Sequence, residues 1–210
     1  SAFYSFATAK FCKEIRTDLI VVLGGVHVTA LPERTLKECS FVDYLVIGEG
    51  EITFYELISR LVEKKDTSDI PGIGYQIDGQ IKINSPRPYI QNLDELPITC
   101  YEDIDLSKYT PHPTQYRVLP NFPFITQRGC PYQCAFCEAA VVHGKKIRHY
   151  SVDRVMMEIE ILVKKFGARG IYFQDSTFTI NRNYTCELME KMIKANFNLR
   201  YRCPCRKWND

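Results

Sequence analysis

The chain has 210 residues, of which 45% are hydrophobic and 25% charged, with a formal net charge of +2. That balance belongs to a folded globular protein rather than a disordered tract, and the length admits one large domain or two small ones. Lys145, Lys146 and Arg148 form only a short basic cluster and Leu19 to Leu23 is the longest apolar run, so neither a nucleic-acid or membrane-surface partner nor a bilayer span is indicated.

Apolar side chains at helical spacing (Phe3, Phe6, Ala7, Phe11, Ile15) predict an opening helix. Leu19-Ile20-Val21-Val22-Leu23, closed by Gly24-Gly25, reads as a strand covered on both faces. Pro32 starts a second helix, and Tyr44 to Ile47 forms a second strand ending in Gly48-Glu49-Gly50. Ile52, Tyr55, Ile58, Leu61 and Val62 then form one stripe of a further helix. Buried strands alternating with helices predict a βαβ sheet with right-handed crossovers.

Asp78-Gly79 between Ile73 to Ile77 and Gln80 to Ile83 is a strong hairpin signal. A proline-rich stretch follows (Pro86, Pro88, Pro97, Pro111, Pro113), read as an ordered linker. Phe122 to Thr126 is a strand leading into Arg128-Gly129-Cys130. Ser151 is the expected N-cap of a helix with the stripe Val152, Val155, Met156, Ile159, Val163 and Phe166, closed by Gly167. A strand over 170–174, a helix over 184–195 and a strand over 199–203 complete a series of βα units, with Asp175, Ser176 and Thr177 just past a strand's C-terminal end.

Nine cysteines without an export signal point to reduced thiols in a cytoplasmic setting rather than a disulfide framework. Cys130-Pro131-Tyr132-Gln133-Cys134-Ala135-Phe136-Cys137 is a C-x3-C-x2-C loop. Three thiolates on one tight loop can hold three irons of a cubane and leave the fourth open for a substrate. Gly129 gives the backbone room and Pro131 stiffens the turn. Zinc is the rival reading, with His143 or His149 as a fourth ligand, although zinc modules commonly come as two spaced pairs. Cys203-Pro204-Cys205 reads as a strand end, with an auxiliary cluster as its alternative.

The motif, with an aromatic residue before the last cysteine, resembles the signature of the radical S-adenosylmethionine (SAM) superfamily. The resemblance implies a [4Fe-4S] cluster on Cys130, Cys134 and Cys137, with SAM chelated at the open iron and cleaved reductively to a 5′-deoxyadenosyl radical. Phe136 would pack near the adenine, and Asp175, Ser176 and Thr177 fall where family members contact the SAM amino group, although the usual Gly-Gly-Glu is absent.

Gly24-Gly25-Val26-His27, then Gly48-Glu49-Gly50-Glu51 and the later Asn92-Leu93-Asp94-Glu95-Leu96-Pro97, look like a cobalamin-binding domain placed before a radical SAM barrel. Glycines at strand C-terminal ends let a bulky ligand press on the backbone, as in doubly wound sheets. Gly24, Gly25, Gly48 and Gly50 are therefore the candidate cobalamin contacts, with tight turns as the plain alternative. His27 does not match the ligating Asp-x-His-x-x-Gly pattern.

The resulting expectation is an α/β protein. Residues 1–70 form the C-terminal half of a Rossmann-like cobalamin-binding domain, 71–120 a hairpin and proline-rich linker, and 121–210 the first βα units of a TIM-like radical SAM barrel. The chain is expected to be an internal piece of a longer, oxygen-sensitive enzyme of an anaerobic or microaerobic host, and inactive alone. Methyl transfer to an unactivated centre is the leading reaction, with oxidative cyclisation or rearrangement as the alternative. Expected partners are a small-molecule, lipid or tetrapyrrole-like substrate and a reductant such as flavodoxin or ferredoxin.

Overall fold

The structure is a computed structural model that describes residues 2–109, 111–132, 134–137 and 139–205. The chain forms two compact units: one runs to Ile90 and includes Tyr132–Gly144, and the other comprises Gln91–Pro131 and the chain from Lys145.

In the first unit, α1 (Ala2–Ile15) leads to β1 (Val22–Leu23), and α2 (Val26–Ala30) and α3 (Pro32–Glu38) return the chain to β2 (Tyr44–Val46). β1 and β2 are parallel, with Val22 opposite Tyr44, so this is a βαβ unit. α4 (Gly50–Val62) precedes the hairpin of β3 (Ile73–Ile77) and β4 (Gln80–Ile83), and α5 (Ala139–His143) joins from later in the chain. β3 pairs antiparallel with β2, so the hairpin extends this sheet in the order β1-β2-β3-β4. Asp78 and Gly79 both take positive φ (49° and 76°), the backbone a two-residue hairpin turn requires.

Two expectations change here. The first strand is a two-residue edge strand, half-buried, rather than a five-residue strand covered on both faces. Asp43 explains part of this: its carboxylate takes the Val21 N–H at 2.6 Å, just before the ladder begins. The apolar stripe of α4 also lies largely outward, with Ile52, Tyr55, Ile58 and Val62 exposed, while Thr53 and Leu57 are buried. Polar contacts set this rotation. The Thr53 hydroxyl accepts from Arg87 Nε at 2.9 Å and donates to Pro71 O at 3.4 Å, while Glu56 pairs with both Arg60 and Arg87.

In the second unit, β5 (Asn121–Phe124), β6 (Gln127–Arg128) and β7 (Arg148–His149) are followed by α6 (Val152–Phe166), β8 (Gly170–Phe173), α7 (Arg182–Ala195) and β9 (Arg200–Arg202). β5, β8 and β9 form a parallel sheet in that order, with Phe122 opposite Ile171 and Ile171 opposite Tyr201. Phe122, Phe124, Ile171 and Phe173 join Val155, Ile159 and Leu162 of α6 and Leu188 of α7 in one core. Each such buried side chain contributes about 1.5–3 kcal/mol. Ser151 caps α6, its hydroxyl accepting the Arg154 N–H at 3.2 Å, and Gly167 ends the helix at φ 64°. Asn181 caps α7 by accepting the Tyr184 N–H at 3.2 Å. β5 stops at Phe124, short of the expected Thr126, because the next amides are directed to a carboxylate instead of the ladder.

Candidate functional site

The cysteine loop is closed at its base by the antiparallel ribbon of β6 and β7. Gln127 lies opposite His149 and Arg128 opposite Arg148. Gly129 follows with φ 93°, a conformation that side-chain-bearing residues rarely adopt. Cys130, in the second unit, is buried; Cys134 and Cys137, in the first, are half-buried and exposed. The Cys137 N–H donates to the Cys134 carbonyl at 3.1 Å. All nine cysteines are free thiols. Among the described residues no three His, Cys, Asp or Glu side chains are gathered into a metal-holding group. Thiols are the donor chemistry that an iron–sulfur cluster takes. His149 lies against Tyr184 with ring centroids 4.3 Å apart and planes tilted by 32°, and burial pushes its pKa down.

Asp175 lies just past β8 and is buried. Its Oδ1 accepts the Thr126 N–H at 2.8 Å and the Gln127 N–H at 2.9 Å, and its Oδ2 accepts the Thr126 hydroxyl at 2.8 Å. Burial raises its pKa to about 6, against the lowering effect of these donors. Gln127 reciprocates, its Nε2 donating to the Thr177 carbonyl at 2.6 Å. Thr177 is buried with its hydroxyl on Ser176 O at 2.8 Å, whereas Ser176 is exposed and Phe136 is 92% exposed. Sequence reasoning overlooked Thr126, Gln127 and the ribbon, because two-residue strands have no readable period. The available signal was an aspartate directly after a buried strand.

The glycines divide into two kinds. Gly25 (φ 95°) and Gly48 (φ 81°) follow the C-terminal ends of the parallel neighbours β1 and β2. A Cβ placed at either meets nothing within 4 Å, as is also the case at the turn glycines Gly79 and Gly167. The Gly48 N–H donates to Thr29 Oγ1 at 3.0 Å, tying this loop to α2. Gly24 and Gly50 instead face Val46, whose atoms a Cβ would meet at 3.5 Å and 3.3 Å. Between Gly48 and Gly50, the side chain of Glu49 is 4% exposed; it accepts the Ile90 N–H at 2.9 Å and lies 3.8 Å from His143 Nδ1. His27 packs edge-on against Phe6. Cys203 packs against the second core and Cys205 is exposed, while Pro204 O accepts the Phe178 N–H at 2.9 Å.

Residues 3–58 match the B12 binding domain family. The chain is 36% identical over 207 residues to the uncharacterised methyltransferase PH0819 of Pyrococcus horikoshii, covering 98% of this chain and 44% of that protein. It is 32% identical over 200 residues to the anaerobic magnesium-protoporphyrin IX monomethyl ester cyclase of Rubrivivax gelatinosus, covering 91% and 34%. Its fold resembles the radical SAM methyltransferase TsrM of Kitasatospora setae, with a TM-score of 0.74 and 21% identity over 94% of this chain and 39% of that one. TsrM has also been solved with cobalamin and a [4Fe-4S] cluster bound. The chain thus carries a B12 binding domain match over residues 3–58 and shares its fold with a radical SAM methyltransferase. It spans less than half the length of these curated relatives.

Proposed function

We propose that the protein containing this chain binds a [4Fe-4S] cluster through Cys130, Cys134 and Cys137, takes SAM at that cluster, and uses cobalamin held at the first unit to transfer a methyl group to an unactivated centre. The observation that carries this reading is a C-x3-C-x2-C loop of free thiols downstream of a B12 binding domain in one chain. When bound, the cluster supplies the electron that splits SAM. The three thiolates of this chain hold it and leave one iron without a protein ligand. Exposed Phe136 and Ser176 are available to meet the adenine and amino ends of SAM, and Gly25 and Gly48, with open space at their Cα atoms, are the proposed corrin contacts. A small-molecule or tetrapyrrole-like substrate and a flavodoxin- or ferredoxin-type reductant complete the scheme. Oxidative cyclisation is the second reading, favoured by the 32% identity to the R. gelatinosus cyclase. The isolated chain, with β9 at a sheet edge, is expected to aggregate or remain inactive.

The test is anaerobic reconstitution of the longer protein, followed by hydroxocobalamin, SAM and dithionite. Bound iron of ~4 per chain, retained corrinoid absorbance and 5′-deoxyadenosine are expected, and Cys134→Ala should abolish the iron and the nucleoside. One zinc per chain with no iron taken up would overturn the proposal.

A further inference from the structure

Asp175 ties the segment leading to Cys130 to the loop after β8. It accepts from two consecutive backbone amides, Thr126 and Gln127, and from the Thr126 hydroxyl. The side chain of Gln127 reaches the opposite way to Thr177 O, so the two segments hold each other at four points. Thr126, Gln127, Asp175 and Thr177 are all buried. Tyr150 N–H closes the ribbon's other end on Thr126 O at 3.0 Å. Cys130 lies three residues beyond Gln127, with only Arg128 and Gly129 between.

We infer that Asp175 is a positioning residue, whose carboxylate fixes the backbone at Thr126 and Gln127 and thereby holds the Cys130 thiol where a cluster ligand is needed. It acts through the loop and makes no contact with SAM. The placement of the thiol follows from this chain alone; its service to a cluster rests on the function proposed above. A carboxylate suits this task because both of its oxygens only accept. An amide of the same shape loses the charge that strengthens all three bonds, and its NH2 can be met only if the Thr126 hydroxyl reverses to accept.

The experiment compares wild type, Asp175→Asn and Thr126→Val in the reduced, metal-free longer protein. Iodoacetamide alkylation is timed at Cys130 and at Cys39 by peptide mass spectrometry; Cys39 is a buried core thiol in the first unit. Loss of one buried hydrogen bond should raise the Cys130 rate roughly five-fold, with Cys39 unchanged. Asp175→Asn should exceed Thr126→Val, and Thr126→Val decides the matter where Asp175→Asn does not fold. An unchanged Cys130 rate in both variants, or equal rises at both thiols, would overturn the inference. So would wild-type Cys130 protection with SAM affinity lost in cluster-loaded Asp175→Asn, which would make Asp175 a SAM contact. Failure of the wild type to take up iron would instead defeat the proposed function while leaving the thiol result standing.

Discussion

Ser151 donates its backbone N–H to the Asp94 carboxylate at 2.9 Å, so an acidic side chain from the Asn92–Pro97 stretch sits at the N-terminus of α6. The helix dipole favours that charge. From the first turn of α6, Arg154 reaches back to the carbonyls of Asp94 (3.2 Å) and Leu96 (2.9 Å) while pairing with Glu158. Arg154→Met would leave Glu158, with its side chain 10% exposed, without its cation and free two carbonyls. Breaking such a pair costs about 3 kcal/mol. Urea unfolding should show this loss; a change under 1 kcal/mol would mean that water replaces the guanidinium.

The rotation of α4 makes a paired prediction. Leu57 is fully buried against Val46, Ile70 and Ile73, whereas Tyr55 is 75% exposed. Leu57→Ala should cost about 2–5 kcal/mol, and Tyr55→Ala no more than about 0.5 kcal/mol. Equal losses in thermal melts would show that the outward stripe is the covered face.

The elements whose identity was legible in the sequence are those that one local signal decides. Ser151 and Gly167 bound α6 because a hydroxyl and a left-handed residue satisfy helix ends locally. Asp78-Gly79 turns the hairpin for the same kind of reason. The elements misread are those decided by partners distant in sequence. The face of α4 follows from Arg87, 31 residues from Glu56, and the start of β1 from Asp43, 22 residues from Val21. The candidate site behaves alike: the cysteines declare themselves by spacing, whereas the grip of Asp175 on Thr126 spans 49 residues and has no local mark.

Gly25 and Gly48 are distinguished from Gly50 by what a methyl group would meet. Alanine at either of the first two is strained by positive φ, at roughly 1–2 kcal/mol, and projects into the open face proposed for the corrin. Alanine at Gly50 presses on Val46 instead. In the longer protein, Gly48→Ala should therefore lower retained corrinoid, read from the visible spectrum after desalting, at least ~10-fold for 1.4 kcal/mol of lost contact. Gly50→Ala should retain it. Equal retention by both would place the corrinoid elsewhere.

The pKa of Asp175 gives the chain a pH signature with a definite sign. Desolvation raises this carboxyl from 3.8 to about 6 in the folded state. An acid with a raised folded pKa stabilises the fold fully below its unfolded value and loses that contribution as pH rises through the folded one. The window is therefore about pH 4 to 6, over which this group's contribution falls by about 3 kcal/mol. Tyr184 and Cys203 also face this carboxylate, but burial and its charge push both upward, away from that window. Other carboxylates titrate across the same range, so the informative quantity is a difference. The urea stability of wild type minus that of Asp175→Asn should shrink by about 2–3 kcal/mol between pH 4 and pH 7. A gap that widens toward neutral pH would mean that the three donors outweigh burial, making Asp175 an ordinary low-pKa carboxylate in the fold.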